Sequence, residues 1–148
     1  MPNQIHLTVA TIVEREGQFL MVKETKFGRQ VINQPAGHVE PGEDIQAAAI
    51  RETLEETGWH VELTGFLGFL TSFNETSGIT YYRLAFAAKP LEFDKAAVID
   101  PDIDYALWMS YEEIQQNLEQ LRSPGVISCL DDYLAKRVFP MEIFRNAL

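Results

Sequence analysis

The chain has 148 residues, of which 46% are hydrophobic and 23% charged. These proportions exclude a disordered, collagenous or disulfide-scaffold protein and suit one globular domain over residues 1–148. Twelve basic residues against twenty-two acidic ones leave a net charge of −10, which disfavours nucleic acid polymers and anionic membranes as partners. If the partner is an anion all the same, something positive must be recruited, and a divalent cation is the obvious candidate. The single cysteine, Cys129, excludes an intrachain disulfide. The opening Met1–His6 has neither a basic start nor a long apolar run, so a cytoplasmic protein is expected.

In chain order, residues 5–13 are β-branched and roughly alternating, which predicts a strand. Residues 14–17 turn the chain and residues 18–23 return, predicting a hairpin. Residues 24–30 read as a polar loop and 31–34 as a short strand. Pro35, Gly37, Pro41 and Gly42 mark a constrained loop. A helix is expected over about 43–57, with Glu43 and Asp44 at the positive end of its dipole and Gly58 as its C-cap. Strands follow at 61–72 and 79–87, joined by a turn at 74–78. Residues 89–104 read as a loop and 105–109 as a strand. Ser110 with Glu113 forms a capping box for a second helix. Ser123 or Pro124 starts a third, running to about Arg137. Interleaved strands and helices predict a mixed α/β (α+β) layered fold.

The 43–57 helix carries the chemistry. At about 100° per residue, Glu52, Glu55 and Glu56 share one sector. Ala47, Ile50 and Leu54 occupy the opposite sector and are expected to form the buried stripe. Ala48 lies on the carboxylate side, where its small side chain leaves room. Residues 37–58 hold six acidic residues and only Arg51 among bases, about half of the net negative excess. Glutamates three and four apart repel one another by roughly 0.2–0.5 kcal/mol per pair, and no lysine occurs between Lys26 and Lys89 to relieve them. Uncompensated carboxylates of this kind suit a hard cation such as Mg²⁺. Arg51 can pair with Glu55 one turn on. Gly37 lets its carbonyl approach a ligand, and Glu43 can anchor the loop to the helix through exposed N–H groups.

Read as one pattern, residues 37–59 run Gly37, five residues, Glu43, seven residues, then Arg51-Glu52-Thr53-Leu54-Glu55-Glu56-Thr57-Gly58-Trp59. This resembles the Nudix box, G-x5-E-x7-R-E-U-x-E-E-x-G-U, where U is bulky and apolar. Thr53 stands where an aliphatic residue is usual, and Trp59 fills the last apolar position. The resemblance implies a mixed β-sheet between helices, an α/β/α sandwich with a loop–helix–loop motif. It implies a hydrolase of phosphoanhydrides that uses Mg²⁺, with Mn²⁺ able to substitute. Glu52, Glu55, Glu56 and the Gly37 carbonyl would hold the metal, Arg51 and Glu43 would orient them, and Glu55 or Glu52 would take a proton from water.

The stretches 33–40, 102–108 and 121–124 are similar to a branch of the superfamily that acts as a phosphatase. Its substrates are nucleoside tri- and diphosphates and pyrophosphorylated thiamine precursors. Hydrolysis of ADP-ribose or oxidised nucleotides, and a non-catalytic nucleotide-sensing domain, are the alternatives. His38, Tyr81 and Arg122 are candidate substrate contacts, and strand alternation lets only one of Tyr81 and Tyr82 face a pocket. Glu75 and Asp102 are weaker candidates for a distal ligand or base. Cys129 reads as a packing residue. Oligomeric state has no sequence signal here.

Overall fold

A computed structural model describes residues 4–147; Met1, Pro2 and Asn3, which open the segment read as lacking a leader, lie outside it, as does Leu148. Seven strands and three helices follow one another: β1 (Gln4–Arg15), β2 (Gln18–Lys26), β3 (Arg29–Asn33), β4 (Ala36–His38), α1 (Ile45–Thr57), β5 (Trp59–Asn74), β6 (Ile79–Phe93), β7 (Ile103–Ser110), α2 (Tyr111–Gln115) and α3 (Pro124–Leu134). Two short 3-10 turns, Leu118–Gln120 and Met141–Ile143, complete the described secondary structure.

One layer runs β4-β1-β6-β5, with β1 and β6 parallel and the other pairs antiparallel. A second layer, β3-β2-β7, is antiparallel throughout. The expected hairpin of β1 and β2 exists only at its tip, where Glu14 pairs with Phe19 and Arg15 with Gln18. Further along, β1 pairs with β6 and β4 instead, so β2 diverges to build the second layer.

Alternation along the strands separates two cores. Val9, Leu84 and Phe86 face α1, where they meet Ala48 and Ala49. Ile12, Ala85 and Ala87 face the other way, towards Phe19, Met21 and Ile32, Ile114 of α2, and Val126, Cys129 and Leu130 of α3. The result is the expected sheet between helices. Cys129 is a packing residue, and burial pushes its thiol up from the ordinary value. No helix among the described residues is long and apolar enough to cross a membrane.

Several boundaries differ from expectation. Residues 24–30 are strand on both sides of a two-residue turn, because Phe27 and Gly28 both adopt positive φ, 53° and 75°, which closes a tight hairpin. β6 runs to Phe93, through much of the first part of the expected 89–104 loop, since Glu92 and Phe93 pair with His60 and Trp59. The third helix stops at Leu134, and Lys136 follows at φ 59°. At its start, α1 begins at Ile45: Asp44 is the N-cap, accepting from the Ala47 N–H at 3.0 Å, so Glu43 precedes the helix.

Candidate active site

The Gly37–Trp59 segment folds as loop, helix and strand. A Pro41-Gly42 turn closed by the Glu43 N–H on the Glu40 carbonyl (3.0 Å) aims the chain into α1. The helix ends on Gly58, at φ 79°, whose N–H donates to the Leu54 carbonyl.

The expected buried stripe of this helix is corrected. Ala48, Ala49, Thr53, Glu56 and Thr57 are its buried residues. Ala47 is exposed, while Ile50 and Leu54 are part-buried. Small residues let α1 lie close against β1, and Ala48 is fully enclosed in the core rather than leaving open space before the carboxylates. Thr53 fits because its hydroxyl meets that of Thr11 at 2.7 Å and donates to the Ala49 carbonyl at 2.8 Å. A polar pair inside the helix–sheet contact thus replaces the usual aliphatic side chain. Trp59 packs edge-on against Trp108, and the Arg15 guanidinium lies 4.1 Å from the Trp108 ring centre.

This packing sets the carboxylates at the seam between helix and loop. Glu56 is 7% exposed, and its Oε1 accepts the Ala36 N–H at 2.9 Å. Burial pushes its carboxyl up to about 8, against that hydrogen bond, with Glu52, Glu24 and Asp100 adding repulsion. Burial likewise raises Glu52. Its carboxylate lies against Gly37 so closely that a Cβ there would overlap it. Only glycine permits this contact.

Arg51 braces the group. Its Nε donates to Glu43 Oε2 at 2.6 Å, and its Nη1 donates to Glu52 Oε1 and Glu55 Oε2, both at 3.0 Å. Its Nη2 holds Glu43 Oε1 at 2.9 Å and the His38 carbonyl at 3.1 Å. The guanidinium keeps the Glu43 carboxyl below its ordinary range. Glu43 also accepts the Glu40 N–H at 3.1 Å, so it ties the loop to the helix as expected. With Glu52 and Glu55 turned to Arg51, the described acidic and histidine side chains form no preassembled three-ligand metal cluster. The donor set nonetheless suits a hard cation: every candidate is oxygen, and Glu56 Oε2 has no hydrogen bond among the described residues.

The substrate candidates divide. His38 is exposed on β4 and lies 3.0 Å from the Nδ1 of His6 through its Nε2; burial, His6 and Arg122 lower its pKa. Tyr81 meets His6 edge-on, while Tyr82 meets Phe69, so one tyrosine of the pair joins the histidines. Arg122 forms an ion pair with Glu24, which is only 5% exposed. Glu75 sits in the exposed turn after β5. Asp100 acts on Glu52 and Glu56, which sequence reading did not anticipate in favour of Asp102. Arg83 and Gln34 were also missed. Arg83 donates from Nη2 to Gln34 Oε1 at 2.5 Å, and Gln34 is fully buried. The available signal was a lone cation in the otherwise uncharged run Ile79–Ala88.

A family model described as the NUDIX domain matches residues 4–128. The chain belongs to the Nudix hydrolase family. It is an enzyme of the Nudix hydrolase type, a family that uses divalent cations and acts on small phosphorylated substrates. Over 138 residues it is 37% identical to the phosphatase NudJ of Escherichia coli, covering 93% of this chain and 89% of that protein. A Nudix hydrolase structure from Nitrosomonas europaea superposes with TM-score 0.92 at 35% identity, covering 97% of both chains. A UDP-X diphosphatase shares the fold, with TM-score 0.71 at 16% identity over 90% of this chain and 64% of that one.

Proposed function

We propose that this Nudix enzyme hydrolyses phosphoanhydride bonds in nucleoside di- and triphosphates or small organic pyrophosphates of the thiamine-precursor type, with Mg²⁺ as its cation and Mn²⁺ able to replace it. One observation carries the reading: α1 and its loop bring Glu52, Glu55 and the buried Glu56 beside the Gly37 backbone, with Arg51 and Glu43 bracing them. Similarity to a relative named as a phosphatase supports the product, inorganic phosphate released stepwise.

Glu52, Glu55, Glu56 and the Gly37 carbonyl would hold the metal. When bound, the cation neutralises phosphate oxygens and acidifies water. Arg51 releases Glu52 and Glu55 from their ion pairs while Glu43 keeps the guanidinium in place. Glu55, the more exposed of these two carboxylates, or Glu52 takes the proton from the attacking water. The Ala36 N–H holds Glu56 in one orientation throughout. His38 and Tyr81 contact the substrate, and Arg122 does so where a phosphate competes with Glu24 for its part-exposed guanidinium. The inferred cellular setting is cytoplasmic.

The test is product analysis with four nucleoside triphosphates and a thiamine-precursor pyrophosphate, in Mg²⁺ and in saturating EDTA. The expected result is phosphate from each, turnover lost in EDTA and restored by Mg²⁺ or Mn²⁺, and weak discrimination among bases. Unchanged turnover in EDTA overturns the metal assignment. Pyrophosphate as the main product, or strong preference for one base, moves the chain to another branch.

A further inference from the structure

Arg83 stands in the middle of β6, flanked on both sides by strands, with Thr8 of β1 and Leu70 of β5 as its register partners. Its Nη2 is bound to Gln34, and the Gln34 amide donates in turn to the Val126 carbonyl at 2.6 Å. Gln34 is fully enclosed and cannot swing away, so the guanidinium is held in one place. Its Nε is buried and has no hydrogen-bond partner. The residue as a whole is part-exposed. Among the described residues no carboxylate lies within ion-pairing distance of it; burial disfavours its charge most, Arg122 repels it, and Cys129 and Glu56 act in its favour.

This arrangement is costly for the protein alone. A guanidinium keeps its charge when buried, and a buried charge without a counter-ion destabilises the fold. Acidic residues are abundant in this chain, yet none is placed here. The following strand positions, Leu84, Ala85 and Phe86, are apolar and buried, which is what packing by itself favours. Arg122 shows the contrasting solution, since Glu24 neutralises it. Arg83 instead has its position fixed and its charge left open, and its partner Gln34 lies two residues before Ala36, whose N–H holds Glu56.

We propose that Arg83 is the anion receptor of this site, its guanidinium binding a non-bridging oxygen of a phosphate in the substrate's phosphoanhydride chain. This deepens the hydrolase reading and rests on it. The phosphate supplies the missing negative charge, and the fixed donors set how far the chain enters relative to α1. Gln34 is the positioning residue that holds the receptor.

The experiment compares wild type, Arg83→Met and Arg83→Lys. Three quantities are read: KM and kcat for a nucleoside triphosphate in Mg²⁺, calorimetric affinity for methylenediphosphonate in Mg²⁺, and melting temperature without phosphate. Arg83→Met is expected to raise KM and weaken methylenediphosphonate binding at least tenfold each, with a smaller change in kcat. It is expected to melt no lower than wild type, because an uncompensated charge has gone. Arg83→Lys, which keeps the charge but loses the fork, falls between the two in affinity. KM and methylenediphosphonate affinity within twofold of wild type in Arg83→Met overturn the proposal, as does a wild-type protein that does not bind methylenediphosphonate. If Arg83→Met does not fold, Arg83→Lys decides: a threefold or larger loss of affinity supports the receptor, and unchanged affinity overturns it. A wild type that binds methylenediphosphonate but hydrolyses no phosphoanhydride overturns the hydrolase reading and leaves the receptor standing.

Discussion

Arg51, which braces the carboxylates, and Arg83, the proposed anion receptor, are held in opposite ways. Arg51, on α1, touches three carboxylates and a carbonyl. Arg83, on β6, touches one amide oxygen and faces no carboxylate among the described residues. An arginine whose charge is fully met by the protein organises its neighbours, whereas one whose charge is unmet is available to a ligand. The α1 side of the site is therefore internally balanced before any ligand arrives. The β6 side is not.

The sharpest way to break this contrast is to remove the buried carboxylate of the α1 side. Glu56→Gln is expected to lower turnover by about 10²-fold or more, because losing a carboxylate proposed to hold the metal removes several kcal/mol of transition-state stabilisation. Glu75→Gln, in an exposed turn, is the control and should stay near wild type. Steady-state rates in Mg²⁺ give the answer, and comparable losses at both positions mean the glutamates are misassigned.

Arg51→Lys is the next largest. A lysine cannot reproduce the fork that reaches Glu43, Glu52 and Glu55 together, so kcat should fall roughly tenfold with KM nearly unchanged. That split is opposite to the one expected for Arg83→Met, and finding the same split at both arginines dissolves the comparison.

Glu56 also predicts a pH effect in EDTA. Its carboxyl is raised from 4.5 to about 8. A raised carboxyl carries no penalty below its unfolded value, and the penalty grows as pH rises and is complete above the folded one. Metal-free wild type should therefore lose stability between about pH 4.5 and 8, and Glu56→Gln should remove that part of the loss. At pH 8 the variant should melt about 4 °C or more above wild type in EDTA, equivalent to roughly 1 kcal/mol. Thermal melts across that range read it directly, and an unchanged slope contradicts the burial of this carboxyl.

The smallest effect on activity is expected at Thr53. Thr53→Val leaves the buried Thr11 hydroxyl without its partner and should cost about 1–3 kcal/mol of stability. The double variant with Thr11→Val should recover much of that. Denaturant unfolding of the two singles and the double measures the coupling, and additive losses mean the hydroxyls do not interact.

Much of this was legible in one dimension. The strands at 5–13, 18–23, 61–72 and 79–87 could be read because short β-branched and apolar runs bounded by turn residues mark strands, including those buried on both faces as β1 and β6 are. The spacing of Glu52, Glu55 and Glu56 could be read because an α-helix repeats every 3.6 residues. Capping by Gly58 and by Ser110 with Glu113 was readable because those contacts are local. The turn at Phe27-Gly28 was not, because a phenylalanine at positive φ carries no common turn signature. The buried face of α1 was misread for a related reason: periodicity names two opposite faces, and the sheet chooses between them.

The sequence by itself determined the family, the layered fold and the residues of the α1 carboxylate group, since each depends on spacing within a short segment. Only the tertiary structure decided which of those carboxylates is buried, because the Ala36 N–H that draws Glu56 inward is twenty positions away. It also decided the partners of the arginines. Arg122 meets Glu24 across ninety-eight positions, and Arg83 meets Gln34 across forty-nine. Whether a charge is met or left open depends on which side chains the packed layers bring within hydrogen-bond range, and no local pattern encodes that.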